Sequence, residues 1–284
     1  MHPFRFAVQL SRTDDAASWR DQVRKVEDLG YSTVYLPDHF GDQFAPMVAL
    51  AIAAEATTTL RVGTLVLGND YRHPLVVAKE AATLDLLSEG RLELGIGAGW
   101  KRSDYEQSGI ELDEPAVRVD RLEESIDVMK ALWTGRCDHA GSHYTVTGAE
   151  GAPLPHRAGG PLLLVGGGSR RVLSVAGRRA DIVGLNPRLT EGFVGPQSLA
   201  SVSAEHYDRR LEWSARPPVT VSRRSRSSAS PSWCGWCPTA VRSWKRRQRS
   251  LPWTVVKQRT SPSPSSATRT RSSTSCRPAA SDGP

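Results

Sequence analysis

Three features are missing from the 284-residue sequence, and each absence excludes a class of protein. No apolar run approaches the roughly 20 residues that a bilayer-spanning helix needs, so we expect no membrane span. Four cysteines are too few for the disulfide framework of a secreted scaffold. Residues 1–6 contain no apolar signal-peptide segment. Together these absences predict a cytoplasmic protein without a membrane partner.

Acidic residues are almost missing from the C-terminal part of the chain. Residues 217–284 hold 13 Lys and Arg against the single acid Asp282, whereas residues 1–216 hold 24 basic and 29 acidic residues. The net charge of +7 therefore comes from the C-terminal segment, and the preceding part is mildly acidic. This distribution does not indicate a specific nucleic-acid partner.

The same segment lacks the residues that build a hydrophobic core. It has one Leu and no Ile, Phe, Tyr or Met, and no part of it has a helical or strand period. Because it cannot bury enough apolar surface to offset the entropy of ordering, we predict a domain at 1–216 and a disordered tail at 217–284.

Three interpretations of this tail compete. It is a natural basic tail that binds nucleic acid non-specifically, or half of a zinc site at Cys234 and Cys237 that lacks a second pair of ligands. The third is out-of-frame translation of a GC-rich gene, which yields Arg, Ser, Pro, Trp, Cys and Thr. We favour this third interpretation, with a break near residues 215–217.

Strand and helix patterns alternate through residues 1–216. The predicted strands are 4–10, 33–37, 61–67, 91–96, 162–165 and 181–185. The predicted helices are 19–29, 46–56, 74–87, 119–133, 170–179 and 204–213. Such alternation indicates an α/β fold with parallel strands and right-handed crossovers. An open doubly wound sheet and a (β/α)₈ barrel both remain open at this point.

Glycines and polar residues follow several of the predicted strands, where α/β proteins place their ligands. Asp38 and His39 follow the second strand, and two glycine-rich turns, 97–99 and 166–168, follow the fourth and fifth. The turn at 97–99 does not have the GxGxxG spacing, because residue 100 is Trp, and the next predicted helix begins only near 119. A dinucleotide-binding Rossmann loop is therefore not indicated.

Five linked stretches of sequence resemble the luciferase-like monooxygenase family, most closely its coenzyme F420-dependent branch. They read LGYSTVYLPDHFGDQ, LRVGTLVLGNDYRHP, KEAATLDLLSEGRLELGIGAGW, RVDRLEESIDVMKALWTG and PLLLVGGGSRR. The resemblance covers about residues 4–190. It implies a TIM barrel that binds a flavin or deazaflavin at the carboxyl ends of its strands, a small-molecule substrate, and a homodimer as one possible assembly. The family's seventh and eighth strands find no counterpart here, so we expect an incomplete barrel.

The resemblance implies catalytic roles for Asp38 and His39 beside the cofactor ring, with His39 in proton transfer. Histidine suits this role because it titrates near neutral pH. The alternative is that Asp38 caps a helix and His39 only packs. The resemblance also implies a cis peptide bond between Leu65 and Val66 behind the ring, where the alternative is an ordinary buried strand.

Further binding roles follow from the same resemblance. Gly97, Ala98 and Gly99 would border the ring, and Trp100 and Lys101 would line the substrate pocket, unless the segment is only a tight turn. Gly166, Gly167, Gly168 and Ser169 would hold the phosphate that coenzyme F420 and FMN both carry, aided by Arg170 or Arg171. The alternative for Ser169 is a simple helix cap.

The remaining polar residues favour structural interpretations. Asn69 or Asp70 caps the helix that begins at Pro74, or else joins the site with Arg72 and His73. We expect Arg118 and Arg121 to pair with acids such as Glu123 or Glu124. Nothing marks Cys137 as a nucleophile, and His139, His143 and His156 have no metal-ligand spacing, so no metal site is predicted.

The function expected from the resemblance is coenzyme F420-dependent hydride transfer to or from a small organic substrate. One alternative is a monooxygenase that uses reduced FMN and O₂. The other is an inactive truncated product whose basic tail binds nucleic acid.

Overall fold

A computed structural model of the chain describes residues 4–187, 189, 192–193, 198 and 201–215, together with the backbone of 255–258. The strands are β1 (Ala7–Gln9), β2 (Thr33–Leu36), β3 (Arg61–Thr64), β4 (Leu67–Gly68), β5 (Leu92–Gly97), β6 (Arg136–Ala140), β7 (Thr145–Glu150), β8 (Leu162–Gly167), β9 (Ile182–Leu185) and β10 (Val255–Gln258). The α-helices are α1 (Ala16–Asp28), α2 (Pro46–Ala56), α3 (Pro74–Leu87), α4 (Arg102–Ser108), α5 (Pro115–Trp133), α6 (Arg170–Arg179) and α7 (Ala204–Ser214). A single turn of 3₁₀ helix spans Asn69–Tyr71.

The main sheet has the strand order β1-β2-β3-β5-β8-β9-β10, and the short β4 also pairs with β5. From β1 to β9 every pairing is parallel, and the strands lie side by side in chain order. A doubly wound sheet reverses direction at a switch point, whereas a barrel winds one way throughout. The order therefore confirms the curled parallel sheet of a TIM-barrel-like fold and decides against the open sheet.

The helices cover this sheet through a core of aliphatic residues and two buried tryptophans. The Trp19 indole N–H on α1 donates to the Ala49 carbonyl on α2, at 3.1 Å. The Trp133 indole N–H on α5 donates to the Ala78 carbonyl on α3, at 3.0 Å. Each bond satisfies a buried polar group and fixes one helix against its neighbour. No helix in the described part of the chain is long and apolar enough to cross a membrane.

Four predictions about the elements need correction. The predicted strand 61–67 is interrupted at Leu65 and Val66, which separate β3 from β4. Helix α4 lies before residue 119, in an interval where no helix was predicted. The pattern gives no sign of it because the residues that it buries are Asp104 and Tyr105, which form no aliphatic stripe. Strands β6 and β7 form an antiparallel hairpin in a region that was predicted as a loop. These two strands bury little besides Cys137 and Val146. The alternation of apolar and polar residues that would predict a strand is therefore weak.

The fourth correction concerns the tail, which was predicted to contain no strand. Residues Val255–Gln258 form β10, which pairs antiparallel with β9. The exposed edge of β9 offers backbone donors and acceptors, and the two valines of this segment favour extended backbone. The rest of the predicted tail, including Cys234 and Cys237, lies outside the described residues, so its disorder and its altered reading frame stay predictions.

Glu27 fastens the end of α1 to the segment that leads into β3. Its carboxylate accepts hydrogen bonds from the backbone N–H groups of Thr58, Thr59 and Leu60, at 3.0, 2.6 and 2.8 Å. Burial alone would raise the pKa of Glu27, but the hydrogen bonds from Thr59, Leu60 and Thr58 outweigh it and lower the pKa to about 2. The ionised form is therefore the one that stabilises the fold.

We predict that Glu27→Gln removes an acid-sensitive part of the stability. The pKa of Glu27 is lowered from 4.5 to about 2 on folding, so its contribution is fully present above pH 4.5 and is lost as the pH falls towards 2. Because solvent screens this partly exposed carboxylate, we expect a loss of about 1–2 kcal/mol at pH 6 and almost none near pH 2. Urea unfolding at several pH values measures this, with the exposed Glu55→Gln as control. An equal loss in both variants, or a loss that persists at pH 2, would contradict the account.

We also predict that Gly95→Ala, in the middle of β5, destabilises the fold by about 1–3 kcal/mol. A Cβ at this position would overlap the Thr64 carbonyl oxygen and would lie 3.2 Å from Cγ1 of Val66, so backbone would have to move. Gly41→Ala is the control, because a Cβ there meets nothing within 4 Å. Thermal unfolding of the two variants compares them directly, and equal melting temperatures would show that β5 has spare room.

Candidate active site

The carboxyl ends of β3, β5 and β8 meet around the side chain of Val66. The Leu65–Val66 peptide bond is cis, as the resemblance implies. A Cβ added at Gly97 would lie 2.8 Å from Cγ2 of Val66, and one added at Gly166 would lie 3.1 Å from Cγ1. Val66 therefore leaves little space for a side chain at either position. Leu65 and Val66 are themselves half-buried and lie at the rim that the strand ends form.

The second glycine-rich turn is shaped by its neighbours in the same way. A Cβ at Gly167 would overlap the side chain of Val172 on α6. A Cβ at Gly168 would overlap the carbonyl oxygens of Asn186 and Pro187, which follow β9. Without side chains at these positions, the turn packs closely between α6 and the end of β9.

Helix α6 begins at this turn, and its N-terminus faces outward. The Ser169 hydroxyl accepts from the N–H of Val172, as the alternative of a helix cap expects, and the predicted role of Ser169 in phosphate binding stays a prediction. Arg171 forms an ion pair with Asp120. The exposed Arg170 makes no hydrogen bond or ion pair with the described residues. The remaining first-turn N–H groups have no partner within the helix, which makes this end electropositive.

His39 follows β2 and contacts residues that come after β5. Its Nδ1 lies 2.6 Å from Oδ2 of Asp104 on α4. Its ring packs edge to face against Trp100, with 5.6 Å between the ring centroids. The His39 side chain is 26% exposed, whereas that of Asp104 is 1% exposed. The imidazole is thus held by a buried carboxylate and an indole while part of its surface stays accessible.

Asp104 is surrounded by donors. The Lys101 ammonium lies 3.2 Å from Oδ1, and the Tyr71 hydroxyl donates to Oδ2 at 3.3 Å. Burial alone would raise the pKa of Asp104, but the hydrogen bond from His39 and the neighbouring Lys101 ammonium outweigh it and lower the pKa. Burial and the Asp104 charge together raise the pKa of Tyr71, so its hydroxyl keeps its proton. Asp104 is therefore ionised at neutral pH.

Asp38, predicted beside His39, faces a different set of partners. Both of its carboxylate oxygens accept from the Arg72 guanidinium, at 2.6 and 3.0 Å, and Oδ2 also accepts from the N–H of Gly68. It does not cap a helix. The pair fixes the segment after β4, which carries Arg72, against the end of β2. Its predicted catalytic role stays a prediction, and its described contacts are those of a residue that holds the rim.

The turn after β5 is fixed by Arg118, which was expected to pair with an acid. That prediction is wrong, because Arg118 donates to the backbone carbonyls of Asp113, Ala98 and Gly99. Gly99 has a φ of +77°, and a Cβ there would overlap the Tyr105 hydroxyl. The turn is therefore rigid, which fixes the positions of the residues that follow it.

Arg121 does pair with acids, but with Asp70 and Asp113 and not with Glu123 or Glu124. Asp70 also accepts from the Tyr105 hydroxyl, at 2.9 Å. The expectation that Asn69 or Asp70 caps α3 is wrong, because His73 is the cap and its Nδ1 accepts from the Leu75 N–H.

The β6–β7 hairpin reaches this part of the molecule. Its turn carries Tyr144, whose hydroxyl accepts from the Asn69 amide and whose ring packs edge to face against His73. Glu124 on α5 accepts from the backbone N–H groups of residues 142–144 and pairs with His139. The hairpin is thus attached to the rim through the loop after β4.

Trp100 and Lys101 lie together at an open cleft of about 370 Å³, which Arg102 and Phe193 also line. Of these two predicted pocket residues, Trp100 also contacts His39, and Lys101 pairs with Asp104. Elsewhere in the described residues, burial raises the pKa of Cys137, so its thiol is not activated. No group of three or more His, Cys, Asp or Glu in the described residues could hold a metal ion.

Neither Asp104 nor Tyr71 was predicted as a site residue, although Asp104 is hydrogen-bonded to His39 and Tyr71 donates to Asp104. The available signal was the spacing of Lys101 and Asp104, since residues three apart face each other on a helix. It was overlooked because helix α4 was not predicted.

The chain can now be compared with known proteins. The sequence model of the family described as luciferase-like monooxygenase matches residues 1–228. A 4-hydroxyprotoasukamycin monooxygenase of Streptomyces nodosus subsp. asukaensis is 38% identical over 132 residues, covering 45% of this chain and 33% of that protein. An F420-dependent glucose-6-phosphate dehydrogenase of Amycolatopsis mediterranei is 29% identical over 208 residues, covering 66% of this chain and 61% of that protein.

Solved structures give the same fold. An F420-dependent secondary alcohol dehydrogenase, in complex with an F420–acetone adduct, matches with a TM-score of 0.60 at 21% identity. The match covers 75% of this chain and 64% of that one. This chain spans less than two thirds of the length of the two curated relatives above.

Proposed function

The chain belongs to the luciferase-like monooxygenase family, and we propose on that basis that it transfers a hydride between coenzyme F420 and a small organic substrate. Members of this family are F420- or flavin-dependent oxidoreductases and monooxygenases. The finer assignment to coenzyme F420 is a proposal about this chain.

The observation that carries the proposal is the position of His39. It lies at the carboxyl-end rim, partly exposed, in contact with Trp100 and hydrogen-bonded to the ionised Asp104. Oxidation of an alcohol or reduction of a carbonyl requires a group that takes or gives one proton as the hydride moves. An imidazole that is held in place but still accessible suits this task.

The residues of the rim fit a phosphate-bearing deazaflavin. The N-terminus of α6, with Gly168, Ser169 and the uncommitted Arg170, would receive the phosphate, since N–H groups and a guanidinium both favour an anion. The half-buried Leu65 and Val66 would form an apolar surface for the ring. When bound, the deazaflavin would supply a carrier that accepts or donates a hydride and reacts little with O₂.

The chain's own residues then have separate tasks. His39 exchanges the proton of the substrate oxygen. Trp100 restricts the orientation of the imidazole and, with Lys101, forms a wall of the neighbouring cleft, which is open to a small substrate. Asp38 and Arg72 hold the segment after β4, so the rim keeps its shape when ligands bind.

A second candidate function is oxygenation with reduced FMN and O₂. It is favoured by the 38% identity to a monooxygenase over 132 residues. The same turn would bind the phosphate of FMN. The two candidate functions therefore differ in the ring system of the cofactor and in whether the reduced cofactor reacts with oxygen.

We predict that the chain binds coenzyme F420 more tightly than FMN. Fluorescence titration of both cofactors measures the two dissociation constants. We expect Arg170→Ala to weaken F420 binding several-fold, because a charge-assisted contact to the phosphate is lost. Arg136→Ala, which changes an exposed arginine of the hairpin, is the matched control.

A second control uses the deazaflavin ring system without its phosphate-bearing side chain, which should bind the wild type and Arg170→Ala equally. Tight FMN binding without any binding of F420 would contradict the proposed cofactor and favour the monooxygenase.

We predict that His39→Ala leaves F420 affinity within a few-fold of the wild type but slows turnover by about 10²–10⁴, the contribution typical of a positioned acid or base. The comparison uses a substrate that the wild-type chain oxidises or reduces, with F420 absorbance as the signal. His156→Ala is the control, since His156 lies near Gly90 at the amino end of β5. Unchanged turnover in His39→Ala would leave His39 with only a structural role.

A further inference from the structure

We propose that Asp104 is a positioning residue that keeps the proton of neutral His39 on Nδ1 and so reserves Nε2 for the exchange of a proton with the substrate. The inference rests on the proposed function for the identity of that exchange. It adds a residue from α4, an element that carried no predicted role.

The first step concerns the charge of Asp104. Its side chain is 1% exposed, the Lys101 ammonium lies 3.2 Å from Oδ1, and the Tyr71 hydroxyl donates to Oδ2. A buried carboxylate persists in its charged form only when such donors surround it. The lowered pKa of Asp104 agrees with this arrangement.

The second step concerns the proton of His39. An ionised carboxylate has no proton to donate, so the ring nitrogen that lies 2.6 Å from Oδ2 must be the donor. That nitrogen is Nδ1. In the neutral imidazole the other nitrogen, Nε2, then carries a lone pair and acts as the base.

The third step concerns the orientation of the ring. The edge-to-face contact with Trp100 limits rotation of the imidazole, and the hydrogen bond to Asp104 fixes which edge faces inward. Asp104 lies in the first turn of α4, and Gly109 in the left-handed conformation closes the end of this helix. The carboxylate is therefore part of a formed element and not of a loose loop.

The proton transfer balances without any further group. In the oxidation of an alcohol, the hydroxyl proton would pass to Nε2, the O–H bonding pair would become the second bond of the carbonyl, and a bound deazaflavin would accept the hydride from carbon. His39 then carries protons on both nitrogens, and the negative charge of Asp104 stabilises the imidazolium. Reduction runs the same steps in reverse.

Two measurements test the inference on the full chain. The first is ¹⁵N NMR of the histidine rings in the protein without cofactor, with the His39 signals assigned by their loss in His39→Gln. We expect the wild type to show the Nδ1–H tautomer at a pH where His39 is neutral. We expect Asp104→Asn to populate the Nε2–H tautomer, because the asparagine amide can donate to Nδ1.

The second measurement is turnover in a double-mutant cycle. We expect Asp104→Asn to be at least about 10-fold slower than the wild type, and Asp104→Glu to recover part of that loss. We also expect the double variant with His39→Ala to be no slower than His39→Ala alone, because residues that act as one unit are not additive. Asp138→Asn, an exposed acid of the hairpin, is the control for the loss of a carboxylate.

The outcomes separate this inference from the proposed function. A wild-type protein with the Nε2–H tautomer would overturn the role of Asp104 even if Asp104→Asn fails to fold. A folded double variant that is much slower than His39→Ala would overturn it as well. If the chain shows the expected tautomers but binds neither F420 nor FMN, the result would support the role of Asp104 in selecting the His39 tautomer. The same result would contradict the redox function.

Discussion

The arrangement of the whole rim depends on how Val66 packs. A Cβ added at Gly95, Gly97 or Gly166 would lie 3.2, 2.8 or 3.1 Å from its side chain, so the link between β3 and β4 packs against two further strands at once. A larger residue at any of these three positions would crowd Val66. Because these ends stay close together, the residues that follow β2, β5 and β8 come within reach of one ligand. The glycines of both motifs, Gly167 and Gly168 included, are therefore explained by packing against neighbouring residues, and a ligand is not needed to explain them.

A layer of ionic contacts outside this packing fixes the polar residues of the rim. The buried pair of Asp38 and Arg72 secures the segment after β4, and Arg118 secures the turn after β5 through backbone carbonyls. His39 takes part in neither of these two sets of contacts. This division leaves the imidazole bound to one buried carboxylate, Asp104, while part of its surface remains exposed. Buried charges are costly unless they are paired or hydrogen-bonded. Asp38 is paired with Arg72, and Arg118 is hydrogen-bonded to three backbone carbonyls.

The fold could be predicted from the sequence wherever burial follows a regular period. Helices α2, α3 and α6 have the predicted limits, because a proline or a serine cap marks the start of each. Helix α4 could not be predicted, because the residues that it buries are an aspartate and a tyrosine. The contact between His39 and Asp104 spans 65 residues and joins the ends of two strands, so only the assembled sheet reveals it. The cis bond at Leu65–Val66 was implied by the resemblance alone, since nothing in the local sequence signals it.

The central claim is that the rim at Val66 and His39 holds a deazaflavin ring with its phosphate at the start of α6. A crystal structure of the chain with coenzyme F420 tests this most directly. The account predicts density for the ring between the Leu65–Val66 peptide and the His39 imidazole, with the phosphate at Ser169 and Arg170. Density for the ring elsewhere on the molecule, or a phosphate bound away from α6 while the rim stays empty, would contradict it.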